Sequence, residues 1–212
     1  MHKLQRGAAP LCLRNYRYNR DTWSNGTPTS AEKCEIWQEL YAMQGNRCAY
    51  CEAAIALGGQ HIEHFRQRSR YPQGTFQWDN LFGSCNRQDT CGKHKDGCGP
   101  YNHQDLIKPD VEDPDKYFIF VTDGTIKVRE GLPANDKHRA EETLRIFSLD
   151  HDNGPLRHMR KRASAGYLQT AEEIKNIANE FPPEDWLPLL MAEIAATSQH
   201  PFATAIRHAL TF

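Results

Sequence analysis

The residues that could do chemistry lie between positions 48 and 95. Cys48 and Cys51 stand in Cys-x-x-Cys spacing. That spacing lets two thiolates converge on one tetrahedral ion at ~2.3 Å. Cys85 and Cys91 supply a second pair and complete a four-thiolate site for structural Zn2+. Cys98 is the alternative fourth ligand, because Cys91 and Cys98 are both within reach across a glycine-rich loop. Cys12 and Cys34 fall outside the cluster and read as ordinary buried thiols.

Between the two cysteine pairs sits His61-Ile62-Glu63-His64. On a strand, alternate residues share a face, so His61 and Glu63 point one way and His64 the other, and the twist at a strand end can reunite Glu63 with His64. A carboxylate is a hard ligand suited to Mg2+ or Mn2+. An unligated imidazole beside it can take a proton from water near neutral pH. Together these are the parts that phosphodiester hydrolysis needs, a base for the water and a cation on the scissile phosphate. Asn80 can hydrogen-bond loop backbone and orient the base, or cap a helix. His94 is placed to give the cation a second protein ligand, with Asn86 as its rival, and Lys95 to meet a phosphate. Arg66, Arg68 and Arg70 follow the Glu-His pair directly and form a candidate nucleic-acid contact.

These residues need a scaffold, and the composition allows one. The chain has 212 residues, 39% hydrophobic and 25% charged, which fits an ordinary globular protein. Net charge is −1, which argues mildly against a stand-alone, high-affinity nucleic-acid binder. No apolar run approaches the ~20 residues of a membrane span, so no membrane partner is expected. The basic start lacks a signal-type apolar core, so the chain reads as cytoplasmic. In a reducing compartment its clustered cysteines are metal ligands rather than bridges.

Residues 1–28 read as irregular. Thr29 or Ser30 caps a helix that carries Ile36, Trp37, Leu40, Tyr41 and Met43 on its apolar side and stops at Gly45. Residues 47–52 and 61–65 are strand candidates joined by a turn at 57–60, and 79–84 read as helical or turn-like. Residues 86–110 read as loop with a short helix near His94. Asp123-Gly124 marks a hairpin between 117–121 and 125–128. Helices are expected over 136–148, from Gly154 to about Phe181, over 184–198 with Leu187, Leu190, Met191 and Ile194 periodic, and over 201–212. The chain divides into an arm and helix (1–43), a metal-bearing core (44–110), and a hairpin and helical region (111–212) suited to docking a partner.

The order Cys48-Ala49-Tyr50-Cys51-Glu52, Ile62-Glu63-His64-Phe65-Arg66, Trp78-Asp79-Asn80-Leu81-Phe82-Gly83-Ser84-Cys85 and Cys91-Gly92-Lys93-His94-Lys95 resembles the HNH endonucleases of the ββα-metal class. More narrowly, it is similar to the PtuB-type HNH proteins of Septu and retron-associated anti-phage systems. The resemblance implies an α+β fold with a zinc-stapled ββα-metal core and a mainly helical remainder. It implies His64 as general base, Glu63 as holder of the divalent ion, Asn80 as the middle motif residue and His94 as the third. It also implies an ABC/SMC-like ATPase partner of the PtuA type and, in retrons, a reverse transcriptase with its RNA–DNA product. The chain departs from the general pattern by placing five residues between Cys85 and Cys91 where two are usual, and Gly92 directly after Cys91.

Overall fold

The computed structural model describes residues 1–152 and 154–211. The architecture is α+β and mostly helical, with two small antiparallel sheets. Helix α1 spans Ser30–Gln44 and starts at a complete capping box: Thr29 accepts from the Glu32 amide, and the Glu32 carboxylate accepts from the Thr29 amide. It ends at Gly45, whose φ of 64° suits a residue without Cβ. Ile36, Leu40 and Met43 are its buried side.

The first sheet joins β1 (Gln60–His64) to β2 (Leu81–Cys85), with Gln60 opposite Cys85 and His64 opposite Leu81. This corrects the expected strand pairing. Residues 47–52 form no strand; they double back as a tight turn with a single bridge from Arg47 to Ala54. The partner of 60–64 is the segment read as helical or turn-like. Two causes hid it. A single 3-10 turn, Trp78–Asn80, leads into β2, and every residue of β2 is buried, so no polar alternation marks the strand.

Helix α2 (Cys91–Gly97) follows and packs against β2. Strands β3 (Phe118–Phe120) and β4 (Ile126–Val128) form the expected hairpin. Gly124 has φ 94°, and a Cβ there would lie 2.1 Å from the Arg157 carbonyl oxygen, so both the turn and the close approach of the chain require glycine. Helices α3 (Ala134–Ile146), α4 (Pro155–Ala165), α5 (Leu168–Glu180), α6 (Pro183–Thr197) and α7 (Ala203–Thr211) complete the chain. The long helix expected from Gly154 is two helices, broken at Gly166-Tyr167 so that α4 and α5 can both pack on α7. On α6, Leu190 and Ile194 pack inward while Leu187 and Met191 face solvent.

One principal core draws on all three stretches of the chain, from Met1 and Leu4 through Tyr50, Phe65, Phe82 and Phe147 to Phe202 and Ala205. No helix among the described residues is long and apolar enough to cross a membrane.

Candidate functional site

The four cysteines come from three elements. Cys48 and Cys51 sit on the doubled-back turn, held by the Cys48 amide on the Ala53 carbonyl (2.9 Å) and the Glu52 amide on the Cys48 carbonyl (3.0 Å). Cys85 ends β2 and Cys91 opens α2. Glu52 and Cys91 both take left-handed backbone, φ 64° and 55°, a conformation that side chains disfavour by roughly 1–2 kcal/mol. The surrounding contacts hold them there.

All four Sγ atoms lie within 4.8 Å of one another, and all four residues are buried. Burial opposes ionisation of Cys48, yet hydrogen bonds from Cys51, Cys85 and Cys91 bring its thiol well below the ordinary value. The Cys48 contact pushes Cys51 well up, and burial does the same to Cys91. Four packed thiols therefore share one charge easily and further charges poorly, which a dication would reverse. The donor set is that of a structural zinc site, and these residues could hold such an ion. Cys98 stays half-buried with its thiol donating to the Lys95 carbonyl at 3.2 Å, so the group that converges contains Cys91 and not Cys98. Among the described residues this is the one cluster of three or more His, Cys, Asp or Glu groups arranged for a metal.

Beside it, His61, Glu63 and His64 line a cleft of about 550 Å³ together with Trp23, Arg68 and Asp96. Glu63 is 1% exposed. Its Oε1 lies 2.7 Å from Lys95 Nζ, an ion pair without hydrogen-bond alignment, and its Oε2 lies 3.3 Å from His61 Nε2. His64 is buried, in a T-shaped contact with the Trp23 ring whose centroid lies 4.6 Å from its own. Its Nε2 is 2.9 Å from the Thr75 carbonyl oxygen. A carbonyl only accepts, so the ring proton sits on Nε2 and Nδ1 is bare. Burial, reinforced by the nearby Arg68 cation, lowers the His64 pKa from 6.5 to about 3, so the ring is neutral at physiological pH.

Asn80 is fully buried and ties the loop after β1 together. Its Oδ1 accepts from the Arg66 amide at 2.7 Å, and its Nδ2 donates to the Gly74 carbonyl at 2.9 Å. The Gly74 contact adjoins Thr75, the residue that holds His64. Both expected roles of Asn80 were local, and the observed contacts are loop contacts rather than a helix cap.

Two expectations are corrected. His94 does not come to Glu63 and His64: its Nδ1 pairs with the Ile146 carbonyl at 2.9 Å, and it lines a different cleft with Cys98, Leu144 and Arg145. On α2, Gly92 and Lys95 face β1, and His94, two positions on from Gly92, is turned about 200° away from it. Lys95 does not present itself to a phosphate either. It is 0% exposed, and its ammonium lies against Glu63 Oε1, Asp96 Oδ1 (2.6 Å) and the His64 carbonyl (2.9 Å). Burial works against that charge, but Glu63 and Asp96 hold it above the ordinary lysine value.

The three arginines differ. Arg66 is engaged by Asn80, Asp79 and the Tyr71 ring. Arg68 is exposed, lines the cleft and donates to the Trp23 carbonyl at 3.0 Å. Arg70 is exposed. Sequence reasoning did not single out Trp23 or Asp96 for the site and gave His61 no role, although the strand alternation already set His61 beside Glu63.

A four-cysteine cluster that could hold a metal ion, beside a Glu-His pair on a strand with strand and helix following, sets this chain in the α+β class. No family model matches the chain. Over 155 residues it is 26% identical to "Retron Vc95 putative HNH endonuclease" of Vibrio cholerae serotype O1 biovar El Tor, covering 69% of this chain and 73% of that protein. Over 147 residues it is 31% identical to "Septu protein PtuB" of Bacillus thuringiensis, covering 67% of this chain and 51% of that protein. The chain thus spans about three quarters of the first and about half of the second. These two homologues support the kinship that the motif order implies: the chain is a relative of the HNH and PtuB-type proteins.

Proposed function

We propose that this protein is a divalent-metal-dependent HNH endonuclease, the nucleic-acid-cleaving subunit of an anti-phage complex that works with an ATPase of the PtuA type. In this reading β1, β2 and α2 are the ββα-metal core and the cysteines its zinc staple. One observation carries it: Glu63 and His64 line a single cleft beside the thiolate cluster. Glu63 would hold Mg2+ or Mn2+, which supplies neutralisation of the scissile phosphate. His64 accepts the proton of the attacking water at Nδ1, because Thr75 fixes the other nitrogen as the donor. Asn80 holds the loop that carries Thr75. Arg68, at the rim of the cleft, attracts the phosphate backbone of DNA or RNA, and Arg70, exposed two residues on, adds to that charge. Cleavage leaves a 5′-phosphate and a 3′-hydroxyl.

A second reading has its own support. Lys95 already neutralises Glu63, as it would in a zinc-binding adaptor without catalysis. The chain with and without its ATPase is incubated with Mg2+ or Mn2+ on plasmid, single-stranded DNA and tRNA. Loss of cleavage by at least 10²-fold in His64→Gln, with zinc content kept, is expected of a missing general base. No divalent-dependent cleavage in any partnered condition favours the adaptor.

The C-terminal helices are the proposed ATPase contact, and α6 carries the exposed Leu187, Leu189 and Met191 there. Deleting residues 150–212 would remove core residues of α7 as well, so the sharper probe is Leu187→Glu with Met191→Glu. Co-purification undiminished in that double variant rejects this contact.

A further inference from the structure

We infer that His61 is the second protein ligand of the divalent ion that the nuclease reading places at Glu63, with Asn86 fixing its ring and Gly92 leaving the space. The inference rests on that reading for the ion itself. The ligand assignment rests on three separate contacts.

The first is the pair of facing atoms. His61 and Glu63 are two apart on β1 and share a face. Nε2 and Oε2 are 3.3 Å apart. Two neighbouring ligands of one ion, each at roughly 2.1 Å and about 100° apart, are separated by about that distance.

The second contact sets the state of the ring. His61 Nδ1 is 2.9 Å from Asn86 Oδ1. The Asn86 amide is oriented by its own Nδ2, which donates to the Gly58 carbonyl at 3.3 Å, so oxygen faces the imidazole. His61 therefore donates from Nδ1 and directs Nε2, the nitrogen left to ligate, at an oxygen of the 1% exposed Glu63 carboxylate. Metal-binding histidines are held this way, with the far nitrogen donating to an oxygen that fixes tautomer and ring plane.

The third is a missing side chain. Gly92 lies in the first turn of α2. A Cβ there would stand 2.4 Å from Glu63 Oε2 and 2.8 Å from His61 Nε2. The space left open adjoins the Glu63 carboxyl group and the His61 ring nitrogen. Lys95 meanwhile takes the opposite oxygen, Oε1, and leaves Oε2 to the His61 side. His94 faces α3 through Ile146 and makes no such arrangement.

The test uses the zinc-loaded full chain titrated with Mn2+ and read by pulsed electron paramagnetic resonance, where a coordinated imidazole gives 14N modulation. The native chain is expected to bind Mn2+ with that modulation. His61→Gln should lose the modulation and bind at least tenfold more weakly, at unchanged zinc content. His94→Ala and His64→Gln should keep it. Gly92→Ala, a variant that keeps both ligand side chains but crowds them, should also weaken Mn2+ binding. If His61→Gln does not fold, Asn86→Ala and Gly92→Ala carry the test, and full Mn2+ affinity in both overturns the inference. Modulation kept in His61→Gln, or lost in His94→Ala, overturns it too. So does Mn2+ bound without modulation, which makes His61–Glu63 an ion pair only, while His64-dependent cleavage would leave the nuclease reading standing. Neither Mn2+ binding nor cleavage defeats both.

Discussion

The buried Lys95 ammonium is taken up by its own chain: an ion pair with Glu63 and hydrogen bonds to Asp96 and the His64 carbonyl. Replacing the residue with Met removes the partner of a fully buried carboxylate. Breaking one half of such a pair costs about 3–5 kcal/mol, because the remaining charge is stranded. Urea unfolding of Lys95→Met should therefore show a stability loss of that order, whereas a lysine reaching for phosphate would show almost none. His64 makes a second prediction. Its pKa is lowered from 6.5 to about 3, so between those values the unfolded chain binds a proton that the folded chain does not. Stability then falls as pH drops through that window, by up to about 1.4 kcal/mol per pH unit. Burial lowers His103 as well, so over the interval from 6.5 to about 4.5 the His64 share of the slope is the difference between the native chain and His64→Gln. The imidazole Cε1–H resonance of His64 should stay flat there by NMR; a midpoint near 6 would contradict the burial. That Glu63 and His64 share one cleft was legible from residue type and order. The fate of Lys95 was not, because nothing in a helix-borne lysine says that its end will be covered.

At the scale of elements, the Glu-His strand is held in place by a side chain that imitates backbone. Gln44, the last residue of α1, is 1% exposed. Its Oε1 accepts from the Gly83 amide at 2.9 Å, and its Nε2 donates to the carbonyls of Gly83 (2.8 Å) and Arg47. The primary amide thus continues the sheet beyond β2 and ties the helix to the cysteine turn. Gln44→Ala leaves buried backbone groups unpaired at about 1–3 kcal/mol each. A loss of about 2–4 kcal/mol in chemical denaturation is expected, with Gln44→Glu no better, since a carboxylate cannot donate to either carbonyl. Gly83 belongs to the same contact: a Cβ would stand 2.6 Å from Gln44 Nε2 and 2.7 Å from the Trp37 ring. The start and stop of α1 and the Asp123-Gly124 hairpin were readable because capping and turn chemistry is local. Strand β2 was not, because full burial erases the alternation that would have marked it, and the partner of β1 was assigned instead to 47–52, which folds as a turn.

On the scale of the whole molecule, the cysteine cluster is where distant parts of the chain meet. It joins the 47–54 turn, the end of β2 and the start of α2. Glu52, directly after Cys51, extends the reach: its carboxylate accepts from the Thr204 amide (3.0 Å) and pairs with the Met1 amino group (2.6 Å), and its carbonyl accepts from the Phe202 amide (3.0 Å). The Cys91 amide donates to the Phe147 carbonyl at 2.8 Å, which adds the end of α3. Loss of a metal from this cluster should therefore not loosen one loop alone. An ion that binds the folded state stabilises it by mass action, and structural zinc sites carry much of the folding energy of small units. One zinc per chain is expected, retained in Cys98→Ser and lost in Cys48→Ser or Cys85→Ser. With a strong chelator, thermal unfolding of the native chain should shift down by 10 °C or more as one cooperative transition, since about 1 kcal/mol moves the midpoint of a chain this size by ~2–4 °C. The signal of α7 should melt together with that of the core. Zinc equally retained in Cys85→Ser and Cys98→Ser, or an unchanged midpoint after chelation, would remove the cluster from the centre of the fold.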